Sequence, residues 1–182
     1  MSLSARVLEF WFGTGPETFR EVWFKSNPDF DLEIEDKFGE ERKIAITGGH
    51  DEMAATPEGA LALVILLDQF SRNLLRGSPD AFVNDAKALR ITKTAIEKGF
   101  DLQMSLLRRV FFYVPFEHSE NLDDQEQGVQ LYTDLGEESF LKYMVEHRDI
   151  IARFGRFPHR NAVLGRESTA EEQEFLKTFD SF

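Results

Sequence analysis

Residues 60–67 read Ala-Leu-Ala-Leu-Val-Ile-Leu-Leu, with no polar position on any face of a helix. A helix that is apolar all round has to be enclosed by other elements, so this segment sets the centre of the fold. Thr56-Pro57-Glu58 precedes it as an N-cap with proline at the first helical position. The helix is expected to run to about residue 76 and to stop at Gly77. Leu63, Leu67, Phe70 and Leu74 line one stripe of it, and Leu61, Val64, Asp68 and Arg72 another. Asp68 and Arg72 therefore continue an inward stripe. At i,i+4 with the acid first, they are placed to pair.

Helical punctuation extends along the whole chain. A first helix is predicted over about residues 4–12, with Gly13 as its stop, and Asn27-Pro28-Asp29 opens one that reaches about residue 46. Ser78-Pro79-Asp80 repeats the start signal immediately after Gly77, and Gly99 is the next stop. So short a link makes the two flanking helices an antiparallel hairpin. Further helices are expected near residues 105–113, 121–135 and 137–154, with Pro115 ending or kinking the first of these. A capping-box pattern in Ser168-Thr169-Ala170-Glu171-Glu172 opens a last helix to about residue 179. No segment alternates with period two between hairpin turns. The 18 phenylalanines, against 3 tyrosines, are expected mostly inside. The fold class is all-α, built of stacked antiparallel helix pairs, with residues 1–182 as a single domain.

With no cysteine, the chain has no disulfide framework and no thiolate chemistry. The start, Met1-Ser2-Leu3-Ser4-Ala5-Arg6, lacks the build of a signal peptide, and the longest apolar run is too short to span a bilayer. The expectation is a cytoplasmic protein with no membrane partner. A net charge of −12 argues against a nucleic-acid partner. That charge is uneven. Residues 110–141 hold eight acids and no Lys or Arg, whereas residues 142–166 hold six Lys or Arg against two acids, a local +4. The positive segment either pairs with the protein's own acids or meets a small anionic ligand.

Four segments carry a family resemblance: residues 66–73 (LLDQFSRN), His118-Ser119-Glu120, residues 154–161 (FGRFPHRN) and residues 164–169 (LGREST). Together with the opening Phe10-Trp11-Phe12, they resemble an uncharacterised bacterial family, the domain of unknown function 924. The resemblance covers nearly the whole chain, with Ser71 standing where the family usually has proline. It implies an all-helical fold similar to tetratricopeptide repeats, and it implies no activity.

The chemistry-bearing residues are few. His147 falls on the stripe Phe140, Met144, His147, Ile151, Phe154. It is either a hydrogen-bonded core histidine or one at a pocket floor. His50, in a Gly-rich loop, is expected to be solvated. The segment His118-Ser119-Glu120 matches no metal spacing and reads as a capping cluster, with Ser119 or Asn121 as N-cap. Residues 156–161 are the densest stretch, with Arg156, His159, Arg160 and Asn161 after a helix stop. Their planar guanidinium forks suit carboxylate or phosphate, and equally suit ties to Asp68, Glu117 or Glu120. No phosphate cradle, nucleophile elbow or Ser-His-Asp order is present, so neither cofactor nor catalytic residue is assigned. The favoured reading is a binding protein or enzyme with a polar pocket for a small anion, lined by Asp68, Arg72, His118, Glu120, His147, Arg156, His159 and Arg160. The alternative is a helical scaffold for a protein partner in which these groups are structural networks.

Overall fold

The computed structural model describes residues 1–179. Among them the chain forms α1 (Leu3–Phe12), α2 (Pro28–Ile46), α3 (Pro57–Val64), α4 (Phe70–Leu74), α5 (Asp85–Glu97), α6 (Leu106–Glu117), α7 (Leu122–Leu135), α8 (Glu138–Phe154) and α9 (Ala170–Leu176). Short 3-10 turns link some of these, and there is no β-strand among the described residues. Two compact units emerge among the described residues: 1–76 with 80–115, and 77–79 with those from 116 onward.

In the first unit the apolar run is wholly buried. The Thr56 side chain caps α3 by accepting from the Gly59 N–H at 3.2 Å. Gly59 lies so close to the preceding turn that a Cβ there would stand 2.1 Å from the Met53 carbonyl oxygen. Between α3 and α4, Ile65–Gln69 forms a π turn in which the Phe70 N–H reaches back to the Ile65 carbonyl. Trp11 of α1 packs against Trp23, Phe30, Phe70 and Phe111, with ring centroids 5.4–6.2 Å apart. The C-terminal carbonyls of α1 are capped by side chains. Arg20 donates to Phe10 and Trp11 at 2.7 Å each, and Trp23 donates to Trp11 at 2.9 Å.

In the second unit α7 and α8 form an antiparallel hairpin through Gly136, whose φ of 80° is the left-handed conformation glycine adopts without strain. Gly128 lets the two helices meet, since a Cβ there would be 2.7 Å from Met144 Sδ. An ion pair between Glu126 and Arg148 at 3.1 Å continues the same register. The capping box of α9 uses Thr169 and Glu172.

Several boundaries differ from the sequence expectation. The helix after Gly77 begins at Asp85, because Pro79–Ala81 closes as a 3-10 turn and Asp85 is fastened to Arg72. Pro115 does not end α6, which continues to Glu117. Proline removes one N–H near the helix end, and Gln125 caps the carbonyls beyond it. The last helix ends at Leu176, short of residue 179. Among the described phenylalanines only Phe19 and Phe24 are exposed, stacked on each other with ring centroids 5.7 Å apart.

Candidate functional site

Two polar centres take up the eight residues singled out in the sequence. Asp68 and Arg72 belong to the first unit, and the other six belong to the second.

In the first unit the π turn carries Asp68 into the interior, where it is fully buried. Its carboxylate accepts from Gln69 Nε2 and from Arg72 Nη1, the latter at 3.2 Å. Arg72 also forms a two-pronged pair with Asp85, at 2.8 and 2.9 Å. One guanidinium therefore serves two carboxylates, and Asp85 is a partner the sequence does not mark.

In the second unit the site is assembled around the ring of Phe157, itself fully buried. Arg160 lays its guanidinium over that ring at 4.5 Å and is buried, and its Nη1 donates to the His118 carbonyl at 3.1 Å. His147 meets the same ring edge-on at 5.7 Å, and His159 lies 5.4 Å from it. His147 Nδ1 lies 2.8 Å from the Tyr143 carbonyl oxygen. A carbonyl only accepts, so Nδ1 carries the proton and the neutral ring keeps its lone pair on Nε2.

Electrostatics tie these groups together. Burial drives His147 down to about 3; the Tyr143 carbonyl opposes this, while the neighbouring His118, the Arg160 guanidinium and His159 add to it. His159 falls to about 4, first through burial and then through Arg160, against the pull of Glu120. Both imidazoles are neutral at pH 7. They lie in a positive field set up by their own neighbours.

Glu120 and Arg156 are framework. Glu120 accepts the Phe157 N–H at 2.8 Å and a two-pronged clasp from Arg166 at 2.7 and 2.9 Å. Burial alone would raise its carboxyl; Arg166 and the Phe157 N–H outweigh that and hold it below the ordinary carboxylate range. Arg156 clasps Glu172 at 2.7 and 2.8 Å, which lowers that carboxyl to about 2. Asn161 adds an amide donor to Glu172 at 3.3 Å. Asn121, not Ser119, caps α7. His50 is not simply solvated: its Nε2 lies 2.8 Å from Glu41 Oε2.

Of the residues in the positive segment, Lys142, Arg148, Arg153, Arg156 and Arg166 each form an ion pair with a carboxylate. Among the described residues no group of three or more His, Cys, Asp or Glu side chains is placed to hold a metal ion. No helix among them is long and apolar enough to cross a membrane. Arg166, Glu172 and Gln125 escaped the sequence reading as site residues. The first two sit inside recognisable segments, and Gln125 shares the core-facing spacing of Gly128 and Tyr132.

Fold and site thus define an all-helical protein whose second unit encloses a histidine–arginine cluster against an aromatic ring. The chain belongs to the family described as "Bacterial protein of unknown function (DUF924)", whose profile matches residues 7–180. It is similar to a solved protein of unknown function from Agrobacterium tumefaciens, with 39% identity and a TM-score of 0.90 over 97% of this chain and 98% of that one. No curated protein matches it.

Proposed function

We propose that this protein binds a small anionic molecule at the cluster of Arg160, His118, His147 and His159 in the second unit. The supporting observation is the buried Arg160 guanidinium gathered with the rings of His147 and His159 about Phe157, where Arg160 and His118 both disfavour protonation of the two imidazoles. An anion reverses that field: it is attracted by Arg160 and lets an imidazole take up a proton, adding a charged donor. Glu120 and Arg156 support the cluster from outside, because each already has a tight two-pronged partner. Asp68 and Arg72 act in the same structural way in the first unit.

The test is a thermal-shift and calorimetric panel of phosphate, sulfate and small carboxylates at constant ionic strength. Binding should raise Tm by mass action, as about 2.7 kcal/mol at a hundredfold excess over Kd. It should be accompanied by proton uptake, visible as a binding enthalpy that changes with the buffer's ionisation enthalpy. Arg160→Lys should weaken the response, and Arg156→Met should lower stability while leaving the response in place. No shift with any anion would overturn the reading.

A further inference from the structure

We propose that Phe179, carried by the segment after α9, is a strap across the anion site: it rests on His159, lifts to let a ligand in and closes again behind it. The inference rests on the anion-binding reading above and concerns how that site is entered.

Two members of the cluster are buried and two reach solvent. Arg160 and His147 are enclosed, while His118 and His159 are half-buried. His159 meets two aromatic rings. Phe157 lies 5.4 Å from it, tilted by 41°, and Phe179 is stacked on it at 5.4 Å with an interplanar angle of 15°. Phe157 is fully buried and belongs to the core, whereas Phe179 is half-buried. Phe179 is therefore the outer cover of an imidazole through which the cluster reaches solvent.

The strap has a fixed post and a short link. The Arg156–Glu172 clasp and the Thr169–Glu172 capping box fasten α9. Phe175 of α9 packs against Phe154 at 5.1 Å, and Phe179 stacks on Phe175 at 4.9 Å. Between the helix end at Leu176 and Phe179 stand Lys177 and Thr178, both exposed. Their N–H groups close a turn onto the Glu174 and Phe175 carbonyls, at 3.2 Å each. An exposed link of this kind can change its backbone angles without unpacking a core side chain, as a hinge requires. A phenyl ring is a suitable cover. It offers Arg160 no hydrogen-bonding group in competition with a ligand, and its stacking is lost and remade without stranding a polar side-chain atom. Closed over a bound anion, it keeps water out, and the attraction of Arg160 for the anion grows as water is excluded.

The experiment compares the full chain with Phe179→Ala and with Phe179→Tyr, which keeps the ring. The first measurement needs no ligand and follows the titration of His159 by NMR. Arg160, Glu120, His118 and Arg166 are the charged and titratable groups that act on His159, and the substitution leaves all four in place. The His159 midpoint should therefore rise by about one pH unit in Phe179→Ala, through hydration alone, and hold in Phe179→Tyr. The second measurement uses inorganic phosphate, with exchange read from phosphorus NMR line broadening. A gate acts on both rates, so Phe179→Ala should speed association and dissociation together by about tenfold while Kd stays within about threefold. Phe179→Leu, a smaller cut, gives the same two measurements if the alanine variant is unstable. An unshifted His159 midpoint would overturn the strap whatever phosphate does. Phosphate exchange at the parental rate, or a change in Kd without a change in association rate, would overturn it while leaving the anion site standing. A raised midpoint with no phosphate binding to any of the proteins would overturn the anion reading, and the gate with it.

Discussion

His147 donates from Nδ1 to the carbonyl of Tyr143, one turn earlier on the same helix, at 2.8 Å. The bond locks the imidazole in one tautomer while burial holds it neutral, so protonating it requires bringing a charge into a buried, positive environment.

Stability should therefore fall on mild acidification. His147 and His159 have folded pKa values of about 3 and about 4, below the ordinary 6.5. Between those values and 6.5 the unfolded chain binds the extra protons. The stabilisation is therefore complete above about pH 7 and is lost as pH falls towards the folded values. At pH 5 the loss should be roughly 2 kcal/mol per histidine. Glu120 and Glu172 have lowered pKa values, so their contribution is lost only below the ordinary carboxylate range, at more acid pH. Urea midpoints between pH 8 and 5 separate the two effects. His147→Gln should flatten that interval, and an unchanged slope would show that His147 is protonated without penalty.

Arg72 should matter more to stability than either of its acids. Asp68→Asn leaves the two-pronged Arg72–Asp85 pair intact. Arg72→Met takes the cation from both carboxylates at once, and Asp68 is fully buried. The expected loss for Arg72→Met is about 3–5 kcal/mol, with a smaller loss for Asp68→Asn. The double variant should lose less than the two separate losses combined, because a neutral amide at position 68 no longer needs the guanidinium. Chemical denaturation of the three variants measures this, and strict additivity would refute it.

How far these centres are legible in the sequence depends on the distance between partners. The Asp68–Arg72 pair is one helical turn apart and is readable from spacing alone. The clasp of Arg166 on Glu120 spans 46 residues, and no local pattern encodes it. Arg156 reads as a ligand-seeking guanidinium until Glu172 appears, a residue the sequence assigns only to a capping box. The π turn at Ile65–Gln69 is invisible because its residues suit an ordinary helix equally well. Gln125 shows why composition misleads. It is one polar residue on a core stripe, and its meaning comes from three carbonyls that reach it only after α6 and α7 have packed.

Gly59 offers a test in which packing and helix propensity have opposite signs. Glycine inside a helix is normally worse than alanine by about 1 kcal/mol, so Gly→Ala usually stabilises. At Gly59 the added Cβ would lie 2.1 Å from the Met53 carbonyl oxygen and 2.7 Å from Thr56 Oγ1. The first obstacle is backbone, and the second is the hydroxyl that caps α3. Neither can retreat without moving the turn off the helix, so Gly59→Ala should destabilise by about 1–3 kcal/mol. Gly128 is the control. Its Cβ would meet Met144 Sδ at 2.7 Å and Cε at 2.9 Å, the far end of a flexible side chain that can swing aside, and Phe116 Cβ at 3.0 Å, which has to give by only a few tenths of an ångström. Part of the alanine gain then survives, and Gly128→Ala should cost less than Gly59→Ala. Thermal melts of the two variants against the parent give the ordering directly. A stabilised Gly59→Ala protein would mean that the turn at 51–55 does not press on α3 in solution.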